Sequence, residues 1–171
     1  HLSLRRQRQM CIRDRLSGVD ITPGGANAGV LTITAGTASL AANGGDTPSL
    51  TIDVLGTAGA GAVGGHDQLN VVGALTSSSI ALADLVVDFS SVAPGTDFTG
   101  LTLTLLSDPG TDFSSVAFAS EAFVGVYSGD VNYGNGSITL SNIEAVPEPA
   151  GLLSVAALGA LAMARRRRSV D

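Results

Sequence analysis

The chain has 171 residues, nine cations against fifteen acids, a formal net charge of −6, one cysteine and no tryptophan. All nine cations are arginines, and they occur only at the two ends: Arg5, Arg6, Arg8, Arg13 and Arg15, then Arg165 to Arg168. From Leu16 to Ala164 there is no Lys or Arg beside thirteen of the fifteen acids, so this stretch cannot neutralise phosphates, and nucleic-acid binding through it is excluded. The usual cationic clamps for phosphorylated or carboxylated substrates are missing too.

A mean hydropathy of +0.35 with 44% apolar residues argues against intrinsic disorder. The apolar content is rich in alanine, with only 4% aromatics, which predicts a core of small side chains. Cys11 stands alone, so no disulfide scaffold is available.

The first fifteen residues, HLSLRRQRQMCIRDR, have no initiator Met and no apolar periodicity. A secretory signal would follow its basic stretch with a run of roughly 7–15 apolar residues. Here Leu16-Ser-Gly-Val-Asp20 leads directly into polar chain. The string RRQRQMCIRDR resembles translated sequencing-adapter sequence, and a basic arm for nucleic acid or anionic lipid is the competing reading. Under the first reading the true N-terminus and any signal peptide are expected upstream, and residues 1–15 do not enter the fold.

From Gly18 onward short β-type runs alternate with turn clusters. Leu31-Thr-Ile33, Leu50-Thr-Ile-Asp-Val54 and Leu69-Asn-Val71 show period-2 alternation, which places apolar residues on one face and Thr, Asn or Asp on the other. Further strand runs are Leu85–Phe89, Leu101–Leu105, Phe123–Tyr127 and Ser137–Leu140. Gly24-Gly25, Gly44-Gly45, Gly64-Gly65, Asp108-Pro-Gly110 and Asn135-Gly136 read as turns. The expected body, residues 16–144, is one acidic all-β domain.

Two architectures compete for it. Leu31, Leu50 and Leu69 are evenly spaced, and so, at a slightly shorter interval, are Leu69, Leu85 and Leu101. Repeats of about 20 residues suggest a β-solenoid in which each coil stacks its inward residues on the previous one. Regular strand spacing also suits a β-sandwich. The hairpin signal Tyr133-Gly-Asn-Gly136 and the alternating run 101–105 favour antiparallel pairing in the second half. The expectation is a short solenoid-like stack running into a sandwich-like end.

Gly65-His-Asp-Gln-Leu-Asn-Val-Val-Gly-Ala-Leu75, with Leu85-Val-Val and Leu101-Thr-Leu-Thr-Leu-Leu106, is similar to a module of autotransporter-like bacterial surface proteins. The similarity runs over residues 48–125, and Ser77-Ser-Ser79 stands where a glycine pair is usual. It implies an extracellular β domain and no particular ligand.

Chemistry in the body is sparse. His66 lies beside Asp67, but there is no Gly-x-Ser-x-Gly elbow, and His66 next to Gly64-Gly65 reads as an exposed turn residue. Asp84 and Asp88 share one strand face and form a conceivable glycosidase pair, though the aromatic platforms of a sugar cleft are scarce. Asp130-Val-Asn-Tyr-Gly-Asn-Gly136 begins like a calcium loop, yet Gly134 takes the fifth position and no bidentate Glu follows at the twelfth; a tight hairpin turn is the simpler reading. Asn135-Gly-Ser137 fits a glycosylation sequon. No catalytic residue, metal site or cofactor is expected.

The C-terminal stretch carries the sharpest motif. Pro147 and Pro149 keep Val146 and Glu148 extended, which leaves an accessible tetrapeptide. Pro149 to Ala164 is uncharged and would span about 24 Å as a helix. Arginine side chains from Arg165, Arg166, Arg167 and Arg168 could snorkel to complete a crossing, and they set that end on the cytoplasmic side. Tetrapeptide, apolar segment and basic cluster, in that order, resemble the PEP-CTERM sorting signal of Gram-negative bacteria.

The resemblance covers residues 145–171. Val146, Pro147, Glu148 and Pro149 match the sorting motif, Ala150 to Ala164 the single membrane helix, and Arg165 to Arg168 the topology signal. It implies processing by exosortase, an integral-membrane cysteine protease, after a transient stay in the inner membrane with the body outside, and then the cell surface or extracellular matrix. The protein is thus expected to be a non-enzymatic surface or matrix protein. A carbohydrate-binding or adhesive module of the exopolysaccharide is the alternative, and a glycan hydrolase comes third.

Overall fold

The computed structural model describes residues 20–25, 27–34, 38–40, 47–73 and 75–147. Seven strands make up nearly all of the regular structure: β1 Val30–Thr34, β2 Ser49–Asp53, β3 Gln68–Val72, β4 Asp84–Asp88, β5 Leu103–Asp112, β6 Ser120–Val124 and β7 Tyr127–Ala145. One 3-10 helix, Ser77–Leu82, lies between β3 and β4. The expected all-β body is what the chain forms.

Successive strands go to opposite sheets. One sheet has the order β1-β3-β5-β7 and the other β2-β4-β6. Pairing is parallel from β1 to β3, β3 to β5, β2 to β4 and β4 to β6, and antiparallel only from β5 to β7. Parallel neighbours need a long crossover between them. Here each crossover passes through the facing sheet, so the chain winds and returns to its own edge one turn later.

This corrects the meaning of the leucine repeat. Leu31 pairs with Leu69, not with Leu50, and Leu50 pairs with Leu85 across the other sheet. The interval from Leu31 to Leu50 is therefore half a turn. A full turn separates the ladder partners Thr32 and Asn70, with |i−j| of 38, and Asp84 and Ser120, with |i−j| of 36. Leu106, and not Leu101, continues the Leu31–Leu69 ladder.

The inward residues of both sheets form a single core that includes Leu50, Ile52, Leu69, Val71, Leu85, Val87, Leu106, Ile138 and Leu140. Its first half is aliphatic. All seven aromatics lie between Phe89 and Tyr133, and Phe89, Phe98 and Tyr127 meet with ring centroids 5.2 to 5.9 Å apart. The core is thus less uniformly small than composition suggests, because the few aromatics are concentrated at one end.

Two strand and turn expectations are corrected. Phe123–Tyr127 is not one strand: β6 ends at Val124, and Gly125 turns at φ +100° against the backbone of Phe89, where a Cβ would sit 2.9 Å from the Phe89 carbonyl carbon. Asp108-Pro-Gly110 does not end a strand but lies inside β5, as an irregular stretch between the paired residues Ser107 and Asp112. A further bulge at Leu105 lets both Leu105 and Leu106 be fully buried, with two residues of β5 against one step of β7.

The hairpin read at Tyr133–Gly136 is present, although the secondary structure is continuous through β7. A straight strand would separate Asn132 from Ser141 by about 30 Å. Their side chains instead hydrogen-bond at 2.9 Å, and Asn142 Nδ2 donates to Asp130 Oδ2 at 2.9 Å. β7 therefore doubles back on itself, and its second limb also pairs with β5.

Among the described residues no helix is long and apolar enough to cross a membrane. The expected helix 150–164 lies outside the described residues, as do residues 1–15 and the Gly44-Gly45 turn.

Candidate functional site

The doubled strand brings the chain to Val146, the first residue of the proline-containing tetrapeptide Val146–Pro149. Its two limbs are still joined at the open end, where the Val146 N–H donates to the Val126 carbonyl at 2.8 Å. Val146 is the last paired residue described. Its side chain is 47% exposed, and Pro147 follows, also exposed. Proline has no N–H to extend the ladder and disfavours helix in the residue before it. Val146 and Pro147 thus follow directly on the last backbone hydrogen bond among the described residues. Glu148, Pro149 and Arg165, Arg166, Arg167 and Arg168 lie outside the described residues.

Beside this open end is a polar groove of about 330 Å³, lined by Ser128, Gly129, Asp130, Asn142 and Glu144. Asn142 takes a left-handed backbone, φ +49°, which asparagine tolerates better than most residues. Its side chain bridges to Asp130, and Asn132 Nδ2 donates both to the Asp130 carbonyl and to Ser141 Oγ. Asp130 and Asn132 are therefore engaged across the hairpin, while the Tyr133 hydroxyl is bonded to Glu121 and Phe118.

Other polar side chains act at a range of one turn. Asp67 and Asp108, both fully buried, each take a backbone N–H from the turn before: Gly29 N to Asp67 Oδ1 at 2.8 Å and Leu75 N to Asp108 Oδ2 at 2.6 Å. Asp108 Oδ1 also accepts from Gly110 N at 3.0 Å. The Thr111 hydroxyl lies 2.7 Å from Asp108 Oδ2 and 2.9 Å from the Leu75 carbonyl, and its one proton serves one of them at a time. Ser79 repeats the device: it accepts from Leu40 N at 3.0 Å and donates to the Thr76 carbonyl at 2.6 Å. Ser79 thus ties one corner to the previous one. Gly24 leaves room for the first staple, since a Cβ there would lie 2.2 Å from Asp67 Oδ1.

His66 is buried, not exposed as its turn context suggests, with 4% of its surface accessible. The 55–65 loop folds over it, with Gly61 N donating to the His66 carbonyl at 2.9 Å and Ala58 N to the Gly64 carbonyl at 3.1 Å. Nε2 is 3.2 Å from the Thr104 carbonyl, which fixes it as the protonated nitrogen of the neutral ring. Nδ1 has no partner in hydrogen-bond geometry. Burial lowers the His66 pKa below the usual 6.5, against the opposing pull of the Thr104 and Ala58 carbonyls and of Asp67. The adjacency of His66 and Asp67 in sequence forms no catalytic pair: Asp67 is occupied with backbone N–H groups.

Asp84 and Asp88 both lie on the outer face of β4, as expected. Four residues of strand separate their Cα atoms by about 13 Å, wider than the roughly 5–9.5 Å between glycosidase carboxyls. Each is committed locally, Asp84 to Ser120 Oγ at 2.6 Å and Asp88 to Ser90 N at 2.7 Å. Asp88 is paired with Asp53 in the ladder, and burial followed by the charges of Asp67 and Asp88 raises the Asp53 pKa. No three His, Cys, Asp or Glu side chains converge as metal ligands among the described residues.

The described residues define an all-β protein whose last described backbone hydrogen bond is that of Val146. No family model, no curated protein and no solved structure matches the chain.

Proposed function

We propose that the chain is an exported, non-enzymatic surface or extracellular-matrix protein whose C-terminal tail is a PEP-CTERM-type sorting signal processed by exosortase. The observation that supports this reading is at Val146 and Pro147: Val146 makes the last backbone hydrogen bond among the described residues, and both residues are exposed. A protease that takes its substrate as a strand would meet Pro147, Glu148 and Pro149 there without dismantling the core. Residues 150–164 then hold the protein transiently in the inner membrane, Arg165 to Arg168 stay in the cytoplasm, and the acidic body is outside. The body itself is a short two-sided β-solenoid closed by an antiparallel hairpin. Its lack of cations fits a partner other than nucleic acid.

The test is co-expression with an exosortase. Loss of the tail with the body reaching the surface is the expected result, and substitution of Glu148→Ala should retain the tail. An unprocessed tail with protein left in the cytoplasm would sink the proposal.

A further inference from the structure

His66 is the one imidazole among the described residues, and the proposed function makes no use of it. Its ring is buried, with Nε2 donating to the Thr104 carbonyl of β5 at 3.2 Å and the 55–65 loop folded over it. Nδ1 is buried as well and has no partner in hydrogen-bond geometry. Buried polar atoms are nearly always paired, so an orphan of this kind calls for a reason.

The covering loop, Leu55-Gly-Thr-Ala-Gly-Ala-Gly-Ala-Val-Gly-Gly65, holds to itself better than to the body. Its ends meet where Leu55 N donates to the Gly65 carbonyl at 2.8 Å, and Ala58 N to Gly64 O at 3.1 Å and Gly65 N to Ala62 O at 2.9 Å tie it into one small unit. Its interior is backbone on backbone: a Cβ on Gly65 would lie 2.0 Å from the Gly59 carbonyl oxygen, and one on Gly56 2.6 Å from that of Gly64. Toward the body it offers no charged side chain, and Val63 points wholly into solvent. Alanine and glycine bury little apolar area, which places such a loop at the low end of the free energies for local opening.

Protonation changes what the ring needs. The neutral ring satisfies Thr104 and leaves Nδ1 a bare acceptor. In the charged ring Nδ1–H is a donor with no acceptor in place, and the charge is shut away from water. The surrounding groups compensate little. Asp67, next in the chain, acts on the ring, but its carboxylate already accepts from Gly29 N and Asp53 N. Asp53 on β2 is paired with Asp88 on β4. β5 presents the Thr104 carbonyl, while its acids are engaged elsewhere, Asp108 with Leu75, Gly110 and Thr111 and Asp112 with Ser114. The loop adds the Ala58 carbonyl and no titratable group, and β1 carries none. Burial outweighs these attractions and lowers the pKa of the ring below 6.5.

We propose that the 55–65 loop is an acid-released lid, which closes over neutral His66 and lifts as a unit when Nδ1 takes up a proton, while the coils beneath it stay folded. The device is independent of the tail and of its processing. For a ring that titrates near 6.5 in the open form and not at all in the closed one, one-proton linkage raises the open population about thirtyfold between pH 7.5 and pH 5, which is the ceiling of the effect.

The test is hydrogen exchange of the full chain, read amide by amide by NMR at pH 7.5 and pH 5, with each rate divided by its intrinsic chemical rate. A several-fold loss of protection, up to that ceiling, is expected at Ala58, Gly61 and Gly65 in acid, with Leu85, Val87 and Leu106 unchanged. His66→Gln, neutral at both values and still able to donate to Thr104, should remove the difference. A measurement on the unaltered chain guards against a variant that misfolds: the His66 ring protons should titrate with the same midpoint as the Ala58 and Val63 methyls. Equal corrected protection at the two pH values overturns the proposal. So does a loss that persists in folded H66Q, a loss shared by Leu85, Val87 and Leu106, or ring protons that titrate apart from the loop methyls.

Discussion

Asp108 shows what a single buried carboxylate does in this chain. It accepts hydrogen bonds from Leu75 N, Gly110 N and Thr111, and so joins two turns of the chain at a point where β5 is irregular. Removing it strands buried donors, and bonds to charged acceptors are worth more than neutral ones. Asp108→Ala is expected to cost about 2–3 kcal/mol in urea unfolding, and Asp108→Asn, which keeps one acceptor oxygen, distinctly less. His66 gives a pH dependence. Its folded pKa lies below 6.5, so the unfolded chain binds the extra proton first as pH falls. Its contribution to stability is complete above 6.5 and declines below it, down to the folded pKa. Denaturation midpoints should fall with acidification in that window, and His66→Gln should flatten the slope. Asp53 acts in the opposite sense: its raised pKa disfavours the charged form in the folded state. Asp53→Asn is therefore expected to raise the thermal midpoint at neutral pH, with a gain that shrinks as salt is added.

At the scale of elements, Gly125 separates β6 from β7 and lies close to the backbone of Phe89. Gly125→Val would force a β-branched residue into a left-handed conformation and a clash at once, and should lower the thermal midpoint by several degrees; an unchanged midpoint would argue against a break at this position. The sequence run Phe123–Tyr127 conceals that break because its apolar alternation continues through the glycine. Strand composition was legible elsewhere: Leu50-Thr-Ile-Asp and Leu69-Asn-Val are strands with the faces their alternation requires. Partner choice was not, because period-2 alternation says which face is buried but not which strand lies alongside, and an even leucine spacing suits full turns and half turns alike. His66 was misplaced for a related reason. Flanking glycines mark a turn, and nothing local reveals that the 55–65 loop folds back over it. The exit at Val146 was legible through its prolines, while the hydrogen bond to Val126 that defines its starting point depends on a partner at the far end of the hairpin's other limb.

At the scale of the whole molecule, thirteen acids without a compensating Lys or Arg between residues 16 and 164 repel one another through the surface. Salt screens such charges over about 8–10 Å, so urea midpoints should rise between low and moderate ionic strength; a midpoint that falls would mean that favourable ion pairs dominate. The parallel turns hold each strand by contacts a full turn away in the chain, as between Asp84 and Ser120, whereas the doubled β7 is held by contacts within the hairpin and by the pairing of its second limb with β5. The two parts therefore differ under load. A pull applied at Pro147 peels the hairpin from its open end, one rung at a time from Val146 and Val126, in the geometry of a zipper. The same force reaches the body at Leu140, where the second limb is paired with Leu103 of β5. The stretch from Val146 back to Ser141 is thus the first part of the described fold to yield to a force on Pro147.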